Sequence, residues 1–127
     1  MNEALSVPRV LVVEDEFMIS AMMADALTAH GCEVHVAANA KDALEHLTCG
    51  SPCDVLFTDI NLPGGVDGAT LARMARGLRP ELPVVYASGM VKAIDQLNAV
   101  DGAAFVAKPY DPDKVCALLQ QLAARSH

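Results

Sequence analysis

Five short apolar runs alternate along this chain with segments in which apolar residues recur at three- and four-residue steps, and that alternation leaves little choice of architecture. The runs are Val10 to Val13, the stretch "EVHVA", Val55 to Phe57, Val84 to Tyr86 and Ala103 to Val106. The helical patterns lie in Ile19, Met22, Met23, Ala26 and Leu27; in Ala43, Leu44 and Leu47; in Leu71, Met74, Ala75 and Leu78; in Ile94 and Leu97; and in Val115, Leu118, Leu119 and Leu122. Strands that alternate with helices pair in parallel, because each crossover helix carries the chain back across the sheet. Four runs are nearly continuous in apolar residues, as strands buried on both faces should be. In "EVHVA", Glu33 and His35 alternate with Val34 and Val36, which marks a strand with one wet face at a sheet edge. With right-handed crossovers, the simplest topology is an α/β, (βα)5 flavodoxin-like doubly wound sheet in the order 2-1-3-4-5.

Helix-start chemistry supports two of the five βα units. Asn39 stands three residues before Asp42, and Asp111 precedes Pro112, which suits an N-cap with proline at the first helical position. A chain of 127 residues, 53% of them hydrophobic, makes one domain, with a core from about residue 9 to 124, and has no room for a second. A net charge of −7 argues against direct nucleic-acid binding and favours cations. The N-terminus lacks a basic region followed by a long apolar one, and no stretch approaches the roughly 18 apolar residues that span a bilayer, so no membrane role and a cytoplasmic location are expected. Cys32, Cys49, Cys53 and Cys116 form no CxxC and read as reduced structural thiols, and the four histidines show no paired ligand spacing.

The chemistry collects where strands end. The first strand delivers Glu14 and Asp15 in "LVVEDE", the third Asp59 in "VLFTDINLPGG", the fourth Ser88 in "VVYASGM" and the fifth Lys108 in "FVAKPY". In this topology those four strands have neighbouring C-terminal ends, so three carboxylates, a hydroxyl and an ammonium converge on one crevice. Taken singly, each has a plainer explanation: acids favour helix N-termini, and Asp, Ser and Lys are ordinary turn and surface residues. Their conjunction on four separate strands points to phosphoryl transfer. Glu14, Asp15 and Asp59 are oxygen donors suited to a hard divalent cation, Mg²⁺ or Mn²⁺. The cation relieves their repulsion and lets Asp59 attack phosphorus, while Lys108 and Ser88 bind the phosphoryl oxygens.

At these motifs, and from Arg9 to about Ala124, the chain resembles the receiver domain of two-component response regulators. The resemblance implies that Asp59 is the phosphoacceptor, that Glu14 and Asp15 bind metal, and that the backbone carbonyl of Asn61 supplies a further ligand. It implies that Ser88 is the switch hydroxyl, Phe105 the rotating aromatic and Lys108 the site lysine, with Lys108-Pro109 in cis. The implied donor is a phosphohistidine on a sensor histidine kinase or a histidine phosphotransfer protein. Phosphorylation would draw Ser88 toward the phosphate and turn Phe105 inward, repacking the face of the fourth helix, fifth strand and fifth helix for a protein partner. A homodimer through that face, where Lys92, Asp95, Asp101 and Lys114 lie, is a family expectation.

Three departures from the family pattern stand out. "LPGGVDG" is one residue longer than usual, Glu14 replaces a more frequent aspartate, and Met90 cannot orient an attacking water, which predicts slow self-dephosphorylation. Because "LAARSH" ends the chain directly after the last helical pattern, a stand-alone receiver is the expectation. A receiver fragment of a hybrid histidine kinase has the same fold and site. A Mg²⁺-dependent phosphatase using Asp59 is disfavoured, since Asn61 stands where such enzymes place a second acid. A degenerate receiver used only for binding is disfavoured because every site residue type is present.

Overall fold

A computed structural model describes residues 7–89 and 99–125 of the chain. Nine elements follow in the order β1 (Arg9–Val13), α1 (Phe17–Ala29), β2 (Glu33–Ala37), α2 (Ala40–Thr48), β3 (Val55–Asp59), α3 (Gly68–Leu78), β4 (Val84–Ser88), β5 (Ala104–Ala107) and α4 (Pro112–Arg125). The strands form one sheet in the order β2-β1-β3-β4-β5, every neighbouring pair parallel. The expected flavodoxin-like topology is thus present, and α4 is the last of the five helical patterns. The fourth pattern, with Ile94 and Leu97, lies outside the described residues, as do Met90, Lys92 and Asp95.

Successive side chains of a strand point to opposite faces, and β1 shows how that divides the core. Leu11 and Val13 pack with Leu56, Tyr86, Ala43, Leu47, Leu71 and Ala75 under α2 and α3. Val10 and Val12 pack with Phe57, Val85, Met23, Leu27, Val115 and Leu119 under α1 and α4. Each fully buried large side chain stabilises the fold by about 1.5–3 kcal/mol, which is why the central strands read as unbroken apolar runs. Burial also pushes the Cys53 and Cys116 thiols up to about 11, as expected of structural thiols.

Two helix starts follow their sequence signals. Asn39 accepts a hydrogen bond from the Asp42 N–H at 2.8 Å, and Asp111 accepts one from the Asp113 N–H at 3.0 Å. A third cap comes from within "LPGGVDG": Asp67 accepts from the Thr70 N–H at 2.8 Å, and that bond holds its carboxyl below the usual range.

Four expectations are corrected. Met22, expected on the inner stripe of α1, is 43% exposed, because the buried line runs through Ser20, Met23 and Leu27. Met74 and Leu78 of α3 are likewise 48% and 49% exposed. The inner face of α3 is made of Gly68, Ala69, Leu71, Ala72 and Ala75, whose small side chains let the helix lie close to the sheet and rotate the larger pair outward. The fifth strand is not buried on both faces, since it forms the second edge of the sheet and its residues are half-buried or exposed. Edge strand β2 is open on its second face too, with Val36 39% exposed.

Candidate functional site

The strand ends bring Glu14, Asp15, Asp59 and Lys108 together, and Ser88 stands at the end of the neighbouring strand β4. Glu14 and Asp15 follow β1, Asp59 closes β3, Ser88 closes β4 and Lys108 follows β5. Backbone bonds hold these ends in register: the Glu14 N–H donates to the Ala37 carbonyl at 3.0 Å, the Ile60 N–H to Ala87 at 3.1 Å and the Lys108 N–H to Ser88 at 2.9 Å. Lys108-Pro109 is cis, as the resemblance implied. Beneath the site the buried Thr58 hydroxyl donates to the Asp59 carbonyl at 2.9 Å.

Lys108 Nζ donates to Asp59 Oδ2 at 2.9 Å and to Glu14 Oε1 at 3.1 Å. Glu14, Asp15 and Asp59 each offer a carboxylate oxygen within 4.8 Å of the others. Glu14, Asp59 and Ser88 are buried, whereas Asp15 is exposed at the rim. Burial, reinforced by the neighbouring Asp59 carboxylate and opposed by Lys108, pushes the Glu14 carboxyl up to about 7. For Lys108, burial works against the charged form, but its bonds to Asp59 and Glu14 outweigh that and leave it above the ordinary lysine value. One ammonium thus serves two acids while a third stands beside them.

Among the described residues one buried side-chain oxygen, Glu14 Oε2, has no hydrogen-bond partner. A buried acceptor without a partner costs about 1–3 kcal/mol, more if charged, so this oxygen is suited to a cation. With Asp15 and Asp59 alongside, the donors are all carboxylate oxygens, which fits a hard divalent ion. Asn61 is exposed, and its N–H donates to Asp59 Oδ1 at 3.2 Å, which orients the carboxylate at the start of the loop.

Two residues were not singled out from sequence. Gly68 opens α3 with its N–H donating to the Ile60 carbonyl at 2.7 Å, and a Cβ there would overlap the Asp59 carbonyl oxygen. Only glycine allows the helix to start this close to the site, and its place at the end of the glycine-rich loop was the available signal. Tyr110 packs edge-to-face on Phe57 with ring centroids 5.6 Å apart; burial and then the Glu14 charge push its hydroxyl up to about 12. With Ile19, Met22, Lys108 and Pro109 it lines a hollow of about 290 Å³ beside the site.

A doubly wound α/β sheet that gathers acids, a hydroxyl and a lysine at its carboxyl edge defines a narrow class of protein. The chain belongs to the response regulator receiver domain family, whose pattern it matches over residues 10–120. That is a signalling family of two-component systems rather than a family of catalytic enzymes. Among curated proteins the chain is similar to the transcriptional regulatory protein TcrA of Mycobacterium tuberculosis, at 33% identity over 119 residues, covering 92% of this chain and 46% of that protein. It spans about half the length of the first curated relatives it matches. A response regulator receiver protein from Sinorhizobium medicae has the same fold, with a TM-score of 0.87 and 25% identity over 97% of this chain and 99% of that one. The receiver domain of the hybrid histidine kinase CckA is 33% identical, with a TM-score of 0.76 over 91% of this chain and 98% of its own. No helix among the described residues is long and apolar enough to cross a membrane.

Proposed function

We propose that this receiver accepts a phosphoryl group on Asp59 from the phosphohistidine of a sensor histidine kinase or a histidine phosphotransfer protein in the cytoplasm. The observation that carries the reading is the geometry around Lys108: its ammonium bridges Asp59 and Glu14 while the second Glu14 oxygen is buried without a hydrogen-bond partner. Glu14, Asp15, Asp59 and the backbone carbonyl of Asn61 would hold Mg²⁺ or Mn²⁺. That ion would offset the charge of acids and phosphate and polarise the phosphoryl oxygens.

An Asp59 carboxylate oxygen attacks phosphorus, the new O–P bond replacing the N–P bond, and the leaving imidazole takes up a proton. Lys108 and Ser88 then bind the phosphoryl oxygens. Ser88 moves toward them, Phe105 responds, and a partner protein, or a second copy of the chain, reads the face that includes β5 and α4. Subsequent self-hydrolysis is slow.

Intact-mass spectrometry after incubation with acetyl phosphate tests this. Wild type gains one phosphoryl group only when Mg²⁺ is present, and Asp59→Asn gains none. Equal uptake by both proteins would move the acceptor elsewhere. No uptake by wild type from either acetyl phosphate or a phosphorylated histidine phosphotransfer domain would overturn the proposal.

A further inference from the structure

Phe105 does not stand alone on its face of the sheet. In the pairing of β4 with β5 it lies beside Tyr86, their rings stacked with centroids 5.2 Å apart and planes 25° apart. Tyr86 is fully buried, whereas Phe105 is partly open. The Tyr86 hydroxyl accepts a hydrogen bond from the Val100 N–H at 3.2 Å. Val100 in turn belongs to the turn leading into β5, where its carbonyl accepts from the Ala103 N–H at 3.3 Å and Gly102 supplies a φ of 74°. Tyr86 and Ser88, two residues apart on β4, share one face of the strand. A single phenol therefore connects the Ser88 end of β4 with Phe105 and with the turn into β5.

We propose that Tyr86 is a positioning residue of the switch, holding Phe105 and the 99–103 turn in the resting arrangement and moving with them when the site changes; the moving part rests on the phosphoacceptor reading above. Packed against the Tyr86 ring, Phe105 cannot change place without unstacking. The Tyr86 ring cannot follow without releasing the Val100 N–H, and a buried hydroxyl gives up its partner only at a cost. Packed interiors of this kind choose between discrete arrangements and do not slide continuously. A rearrangement at Ser88 thus reaches the surface as a joint movement of Tyr86, Phe105 and the turn, where an aromatic without such a neighbour would turn alone.

Tyr86→Phe keeps the ring and removes the bond. By NMR on unmodified protein, its Val100 amide exchanges about three- to tenfold faster than in wild type, with Val85 on the same strand as internal control. After phosphorylation with acetyl phosphate and Mg²⁺, Val100 and Phe105 signals shift together in wild type. In Tyr86→Phe the Phe105 shift persists and the Val100 shift shrinks, while mass uptake at Asp59 stays that of wild type. A Phe105→Leu variant keeps the hydroxyl and breaks the stack, so Val100 remains protected but stops responding. Unchanged Val100 exchange in Tyr86→Phe, or a joint response that survives both substitutions, overturns the proposal. Absence of uptake by wild type from both acetyl phosphate and a phosphorylated histidine phosphotransfer domain would instead defeat the phosphoacceptor reading, and the exchange comparison on unmodified protein would still decide the role of the Tyr86 hydroxyl.

Discussion

Glu14 carries a conflict between stability and cation binding. Its carboxyl is buried and pushed up to about 7, so the folded protein holds a proton there that the unfolded chain releases at its ordinary value of 4.5. The sign follows: the folded state binds more protons between those values, so in the metal-free protein stability falls as pH rises from 4.5 towards 7 and the penalty is complete above that. Glu14→Gln therefore stabilises the metal-free protein at about pH 8 by roughly 1–2 kcal/mol, the gain being limited by the loss of a charge-assisted bond from Lys108. Urea unfolding with chelator present measures it, and the same variant binds Mg²⁺ more weakly. A stability loss in the variant would mean that the bond to Lys108 outweighs the burial of charge.

At the level of the elements, β2 and α2 meet through an aromatic contact that the sequence spacing did not disclose. His35 and His46 stack with ring centroids 4.0 Å apart and planes 17° apart. Burial first, and then the His35 ring, hold His46 below its ordinary value of 6.5, with Arg79 adding to the effect and a hydrogen bond donated by the His46 ring to the Pro52 carbonyl opposing it. Because the unfolded chain takes up this proton more readily, the His46 contribution to stability is lost as pH falls from 6.5 towards the lowered folded value. Chemical denaturation between about pH 7.5 and about pH 5.5 should show a steeper loss for wild type than for His35→Gln, which removes one ring charge from the stack. Equal slopes would show that the two rings do not repel. The contact was hidden because His35 and His46 belong to different elements, and only the packing of α2 on the edge strand brings them together. The described elements themselves were legible, since a period of two or 3.6 in apolar residues marks a strand or a helix even where single residues of the pattern turn out exposed. On α3 the pattern placed Leu71 and Ala75 inside but missed the outward turn of Met74 and Leu78, because Leu and Met signal hydrophobicity while Gly68, Ala69, Ala72 and Ala75 signal the closeness of approach that decides the rotation.

For the whole molecule, the strand order, the convergence of Glu14, Asp15, Asp59 and Lys108 and the strand-end position of Ser88 could be read in advance because a parallel sheet fixes where its carboxyl ends lie. The sharing of one ammonium between two acids, and the stack of Tyr86 on Phe105, could not, since they depend on side-chain directions that strand order leaves open. A cation that binds the folded protein raises its melting temperature through linkage. At ten times its dissociation constant the gain is about 1.4 kcal/mol, or roughly 4–8 °C for a domain of this size. Calorimetry with and without Mg²⁺ should show that shift in wild type and a much smaller one in Asp15→Asn, whose exposed side chain contributes little to the metal-free fold. An equal shift in the two proteins would remove Asp15 from the ligand set.

Lys108 reaches Glu14 and Asp59 across 94 and 49 positions of sequence, joining the edge strand β5 to the interior strands β1 and β3. The joint is ionic, so its strength depends on how much other positive charge the two acids can find. Supplying either acid with a new counter-charge slackens it, and placing more negative charge on Asp59 tightens it. The ionic link thus ties the charge in the crevice to the hold of β1 and β3 on the edge strand β5.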